Sequence, residues 1–214
     1  MSDENRTVVF IHGFRFQDLL PPFLFKHDQS ADRPRRHVVF EYDWRQSIDK
    51  LARTLNVWLD ELYLTRGGTL TIVAHSLGGL VAVRALQDTL RPYVTHLATV
   101  ATPHGGTYLA YLSVVESARD MRPGSPFMLT YSPCVPRSCR HLNVVTSNDW
   151  VVLPWDSCRL HFPHIKQLTV SGVGHLNLLT NLSIVRPIYE WFDDKIDTSA
   201  GWTVQLIGEK ETVR

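Results

Sequence analysis

Long apolar runs, an excess of either charge, and a paired set of cysteines are all missing from this 214-residue chain. No stretch approaches the roughly 18 consecutive apolar residues of a membrane span, so no transmembrane helix is expected. Twenty-two basic residues against 21 acidic ones leave a net charge of +1. With no basic block, the chain offers no electrostatic footprint for nucleic acid or an anionic surface, and recognition must rest on shape and apolar contact. Three cysteines, Cys134, Cys139 and Cys158, are an odd and small number that argues against a disulfide framework. Cys134 and Cys139 could pair locally, and with Cys158, His161 and His164 they could be imagined around zinc. Neither pair has a zinc-motif spacing, so the expectation is no metal, and nothing else in the chain implies a cofactor. Only Met1 to Arg6, all polar but the first, precede the first apolar strand at Thr7. That leaves no room for a secretory signal, and the expectation is a cytoplasmic protein.

What is present is 44% hydrophobic residues, enough for one α/β domain with a sizeable core. Thr7 to Ile11, His37 to Tyr42, Thr69 to Ala74, Val94 to Ala101, Leu142 to Thr146 and Ile165 to Val170 read as strands, and Trp202 to Gly208 as a further edge strand. Pro21 to Phe25 is apolar but interrupted by proline, hence a loop or short helix. Ser47 to Leu64 reads as a helix with Ser47 as N-cap, because Ile48, Leu51, Leu55, Trp58, Leu59 and Leu62 recur every three or four residues. A second helix follows Ser76 to about Thr89, with Arg84, Gln87 and Asp88 on its wet face. A third, capped by Asn177, runs from about Leu178 to Phe192. Strands alternating with helices imply a mainly parallel sheet of about six strands with right-handed crossovers. Residues 107–140 break the alternation with a helical piece around Leu109 to Met121 and four prolines. They read either as a cap-like insertion over the carboxyl edge of the sheet or as a helix pair packed on its flank.

Val73-Ala74-His75-Ser76-Leu77-Gly78-Gly79 carries the strongest chemical signal. A serine held on a sharp turn between a buried strand and a helix presents its hydroxyl above the sheet, next to the positive end of the helix dipole. The Gly-x-Ser-x-Gly pattern is departed from at Ala74, which adds one methyl. The plainer reading, a serine that merely caps a helix, needs none of the flanking small residues. A serine nucleophile needs an imidazole to accept its proton and an acid to orient that imidazole. Of ten histidines, His175 is best placed, on a glycine-rich turn between the last strand and the last helix. His96, His141, His161 and His164 sit where surface histidines are ordinary. Asp149 follows a strand, at the edge where ligands collect in parallel sheets. Asp156 and Asp43 are its rivals, and an aspartate after a strand is often only a turn former. For the oxyanion, the backbone amides of Leu77 and of Phe14, in Ile11-His12-Gly13-Phe14, are the expected donors. His12 more plausibly supports that loop than acts as a base. Phe14, Phe16, Leu77, Tyr108 and Leu109 are the expected wall of an apolar acyl pocket.

Taken together, His12-Gly13-Phe14, Ala74 to Gly79, Ala101-Thr102-Pro103-His104-Gly105-Gly106-Thr107, Met121 to Phe127, Ser147-Asn148-Asp149-Trp150-Val151-Val152 and Gly174-His175 resemble the α/β-hydrolase family. More narrowly they are similar to small bacterial triacylglycerol lipases and esterases. Tyr42-Asp43-Trp44-Arg45 also resembles the lecithin:cholesterol acyltransferase-like branch. The resemblance implies a compact α/β-hydrolase fold, the triad order Ser76, Asp149, His175, and hydrolysis of small-molecule ester or lipid substrates through an acyl-enzyme. Acyl transfer to an alcohol, or a binding module that keeps the fold without the chemistry, are the alternatives.

Overall fold

The computed structural model describes residues 6–15, 25–26, 28, 35–87, 90–196, 202–207 and 210–213. Phe16, Pro21 to Leu24, Asp88 and Thr89 lie outside the described residues. The described strands are β1 (Arg6–Ile11), β2 (Arg35–Phe40), β3 (Thr69–His75), β4 (Val94–Val100), β5 (Arg140–Thr146), β6 (Ile165–Ser171), β7 (Trp202–Ile207) and β8 (Lys210–Val213). They form a single sheet in the order β2-β1-β3-β4-β5-β6-β7-β8. The pairs from β2 to β7 are parallel, and β8 returns antiparallel on β7. The six strands read from the sequence form the parallel body; the tail extends it by a parallel strand and a further edge strand that no alternation announced.

Side-chain alternation decides how both faces of the sheet are covered. Val9 and Ile11 of β1 join one cluster with Leu51, Leu55 and Leu59 of α1 (Ile48–Arg66) and with α2 (Leu77–Gln87). Val8 and Phe10 face the opposite cluster with Ile184, Ile188 and Trp191, which belong to the last helix (Leu182–Phe192). Of the expected wet face of α2, Arg84 and Gln87 are half-buried while the rest of the helix is buried, and the Arg84 guanidinium pairs with Asp49 of α1 at 2.7 Å.

The insertion is shorter in its helices than its sequence suggests. The expected helix around Leu109 to Met121 is split into a 3₁₀ turn, Tyr108–Leu112, and α3, Glu116–Asp120, because the Arg122 guanidinium takes the Ala110 and Ser113 carbonyls at the break. α4 (Pro126–Thr130) follows, capped by Ser125. Likewise the last helix, α5, starts at Leu182 rather than Leu178: Asn181 accepts a hydrogen bond from the Ser183 amide, and Asn177 only opens a 3₁₀ turn.

Ser47 precedes α1 but its side chain makes no capping bond. The exposed amides are taken instead by the insertion: Ser47 N–H donates to Glu116 at 3.0 Å and Ile48 N–H to Asp120 at 2.8 Å. Ser117 Oγ–H completes the joint by donating to the Trp44 carbonyl at 2.5 Å. Carboxylates at a helix N-terminus satisfy orphan amides and oppose the dipole. Replacing Asp120 by alanine is therefore expected to lower unfolding free energy by about 1 kcal/mol, read from urea midpoints.

Candidate active site

The carboxyl ends of β1, β3 and β5 and the turn after β6 bring Phe14, Ser76, Asp149 and His175 to one pole of the sheet. Ser76 sits at φ 53°, a left-handed conformation costing a non-glycine residue about 1–3 kcal/mol. The surroundings hold it there: its amide donates to the Val100 carbonyl at 2.8 Å, and β3 and α2 are buried on either side. Gly78 lets α2 meet the end of β1. A Cβ at that position would lie 2.5 Å from the carbonyl oxygens of both Ile11 and His12, backbone atoms that cannot swing aside. Gly78→Ala is thus expected to cost about 3 kcal/mol by pushing α2 from the loop after β1, read from urea unfolding.

Gly13 makes the matching approach from the other side. A Cβ there would meet His75 Nδ1 and Ser76 Cβ, both at 3.0 Å, so the loop after β1 lies directly on the serine turn. The loop is buttressed from beneath. His12 Nδ1–H donates to the Gly13 carbonyl at 2.8 Å, and its ring stacks on Tyr42 with centroids 4.1 Å apart. The Tyr42 hydroxyl donates to the His12 carbonyl at 2.5 Å, and Trp44 packs against the Phe14 ring at 4.4 Å. Tyr42-Asp43-Trp44-Arg45 therefore serves this loop and the joint to the insertion. As the first residue of α2, Leu77 has an amide with no intrahelical acceptor.

Asp149 and His175 meet directly. His175 Nδ1–H donates to Asp149 Oδ2 at 2.7 Å, while Asp149 Oδ1 accepts the amides of Val151 and Val152, each at 2.8 Å. Burial pushes the Asp149 carboxyl upward, but the His175 contact and the two amides outweigh it and hold the group below its ordinary value. His175 is also held from behind. His75 Nε2–H donates to the His175 carbonyl at 3.3 Å, and the two rings lie 4.8 Å apart. Burial and the neighbouring His175 ring drive the His75 pKa down to about 3, so this support stays uncharged at neutral pH. The Ser76 hydroxyl makes no hydrogen bond to His175 in this structure; such links in ligand-free enzymes are commonly long and tighten around substrate.

The rivals lie elsewhere. His96 and His141 are on β4 and β5, His161 and His164 are exposed, Asp156 belongs to a 3₁₀ turn, and Asp43 pairs with Arg45. All three cysteines are free thiols, and burial raises those of Cys139, to about 12, and Cys158. Among the described residues, no three His, Cys, Asp or Glu side chains are grouped to hold a metal.

Beside Ser76 lies an almost wholly apolar cavity of about 160 Å³, walled by Phe14, Pro103, Leu109, Ala110, Met121 and Val151 among others. Phe14 and Leu109 were expected there. Leu77 was too, but its side chain is fully buried in the core, and Tyr108 is 60% exposed and does not line the cavity. Helix direction sends Leu77 inward, and the 3₁₀ turn puts its neighbours Leu109 and Ala110, not Tyr108, against the site. The wall is tied down at both ends. Thr107 N–H donates to the Met121 carbonyl at 2.8 Å, and the Tyr108 amide to the Leu153 carbonyl at 2.8 Å. Met121, Ala118 and the supporting His75 were not singled out from the sequence. His75 lay inside the serine motif, but nothing local to it tells that its ring faces a residue 100 positions away.

This arrangement defines the α/β-hydrolase fold, and solved structures agree. The mature lipase BlEst2 of Bacillus licheniformis superposes with a TM-score of 0.71 at 15% identity, covering 86% of this chain and 90% of that one. Lipase B of Aspergillus fumigatus matches at 0.68 and 14% identity over 82% of this chain, which spans 49% of that longer protein. A putative cell surface hydrolase of Lactobacillus plantarum matches at 0.60 and 18% identity, covering 91% and 94%. In sequence, 51 residues are 47% identical to an uncharacterized protein of Saccharomyces cerevisiae, YJR098C, amounting to 23% of this chain but 8% of that protein's length. No family model matches the chain. Among the described residues no helix is long and apolar enough to cross a membrane.

Proposed function

We propose that the protein is a serine carboxylic-ester hydrolase acting on apolar acyl esters. The observation that carries this reading is the buried His175–Asp149 pair, 2.7 Å apart, at the same pole as a strained serine that borders an apolar cavity. Ser76 Oγ attacks the ester carbonyl while His175 Nε2 takes its proton, and Asp149 stabilises the imidazolium. The amides of Leu77 and Phe14 receive the oxyanion. Collapse of the tetrahedral species expels the alcohol, protonated by His175. Water, deprotonated by the same ring, then releases the acid and restores Ser76.

The acyl cavity, about 160 Å³, is small beside the roughly 300–1,000 Å³ of clefts for drug-sized ligands, which favours short acyl groups. A p-nitrophenyl ester series is expected to show turnover highest at short chains and falling steeply toward palmitate. A maximum at palmitate would overturn the assignment of this cavity to the acyl group, and no turnover of any ester would overturn the reaction class. Adding glycerol tests the acyltransferase reading, since transfer would yield new glyceryl ester in place of free acid.

A further inference from the structure

The turn that carries His175 is fastened to the acid side of the site. Thr146 Oγ1–H donates to the Val173 carbonyl at 2.5 Å, the Gly172 N–H donates to Asn148 Oδ1 at 2.7 Å, and His175 Nδ1–H donates to Asp149 at 2.7 Å. Base and acid therefore move as one unit. Ser76 belongs to another, because β3 and β6 are not neighbours in the sheet: β4 and β5 lie between them. Among the described residues, a single hydrogen bond joins the serine turn to the histidine turn, from His75 Nε2–H to the His175 carbonyl at 3.3 Å. The histidine turn is not stiff by itself, since Gly172, at φ 83°, and Gly174 both lie within it.

For packing alone, histidine is a costly choice at position 75. The ring is fully buried and uncharged at neutral pH, so one of its two nitrogens carries a proton. Nε2 faces a carbonyl oxygen and takes it, which leaves Nδ1 an acceptor. Nδ1 meets no donor among the described residues. It lies instead against the backbone of the loop after β1, where a Cβ on Gly13 would come within 3.0 Å of it. A buried acceptor without a donor costs about 1–3 kcal/mol, and an apolar side chain of similar size would carry no such cost. What histidine adds here is reach: from the residue preceding the nucleophile, its ring extends to the backbone of the base, 100 positions away.

We propose that His75 is a positioning residue that sets the gap between Ser76 Oγ and His175 Nε2, by tying the backbone of the base to the residue next to the nucleophile. The inference rests on the ester-hydrolase reading. His75 touches no reacting atom, and it is absent from the wall of the apolar cavity. Its effect enters through geometry. Without the tie, His175 and Asp149 drift together, their own hydrogen bond intact, away from Ser76. A misplacement of about 1 Å costs on the order of a hundredfold in rate. Substrate binding uses other residues, so the loss falls on kcat and spares KM.

The test compares H75L, H75N and H75Q in the full chain on a short p-nitrophenyl ester. Leucine has similar bulk and no donor. The glutamine side-chain nitrogen lies as many bonds from Cα as His Nε2 does, whereas that of asparagine lies one bond nearer and falls short of the carbonyl. H75L and H75N should lower kcat about a hundredfold with KM little changed, and H75Q should stay within about tenfold of wild type. H75L removes the unpartnered Nδ1 but takes the donor from the His175 carbonyl, so its urea midpoint should stay near wild type. The low-field proton resonance of the hydrogen bond between His175 and Asp149 should persist in H75L. Turnover by H75L within about threefold of wild type, H75Q no better than H75N, or loss of that resonance would each overturn the positioning role. If H75L does not fold, the contrast between H75N and H75Q still decides. Absence of ester turnover by the wild-type chain would instead overturn the hydrolase reading, and this inference with it.

Discussion

Ser76→Ala should abolish ester turnover, with a loss on the order of a million-fold in kcat, while the protein stays folded. The size follows from what the hydroxyl does in the proposed reaction. Without it His175 has no nucleophile to activate, and only the oxyanion amides and the apolar cavity remain. The side chain removed is one oxygen at a residue 8% exposed, so lost packing is slight. Alanine in place of serine leaves the left-handed backbone at φ 53° as strained as before. Far-ultraviolet circular dichroism and the unfolding midpoint should therefore stay near wild type. A fluorophosphonate probe should label the wild-type chain at Ser76 and leave the variant unlabelled. Labelling of the variant at another serine, or retention of turnover, would refute the nucleophile.

The parts of this fold legible in the sequence are those whose signal is local. The run Thr69 to Ala74 has the composition of a strand buried on both faces, and the small residues after it announce a close approach of the following helix, which Gly78 makes at 2.5 Å to the carbonyls of Ile11 and His12 at the end of β1. Illegible were features whose partners are remote. The N-terminal amides of α1 are satisfied by Glu116 and Asp120, 69 and 72 residues away, so the local cap candidate, Ser47, drew attention that its side chain does not repay. The helix expected around Leu109 to Met121 failed for a similar reason. Propensity favoured continuity, but Arg122 takes the carbonyls at the break and Thr107 accepts the Leu153 amide at 2.9 Å. That shape in turn decided the cavity wall: which of Tyr108 and Leu109 faces the site depends on a turn, not on hydropathy.

Asp149→Asn is expected to lower kcat about ten-thousand-fold with little change in KM, through the tautomer of a neighbouring ring rather than any contact with substrate. Asp149 Oδ1 accepts two backbone amides, from Val151 and Val152. An asparagine must keep its carbonyl oxygen there, since the opposite orientation sets an NH₂ against two N–H groups. Its NH₂ then faces His175 Nδ1, where the aspartate now accepts a hydrogen bond. The imidazole responds by moving its proton to Nε2, which turns the atom that should receive the Ser76 proton into a donor. Stability should respond differently with pH. The Asp149 carboxyl titrates lower in the folded chain than in the unfolded one. Its contribution is therefore fully present above the unfolded value, near 4, and is lost as pH falls through the folded one. The wild-type chain should lose that increment on acidification, whereas the asparagine variant, having nothing to protonate there, should not. Turnover within tenfold of wild type would show that another acid orients His175. A collapse of stability at neutral pH matching the kinetic loss would show that Asp149 holds the loop without setting the tautomer.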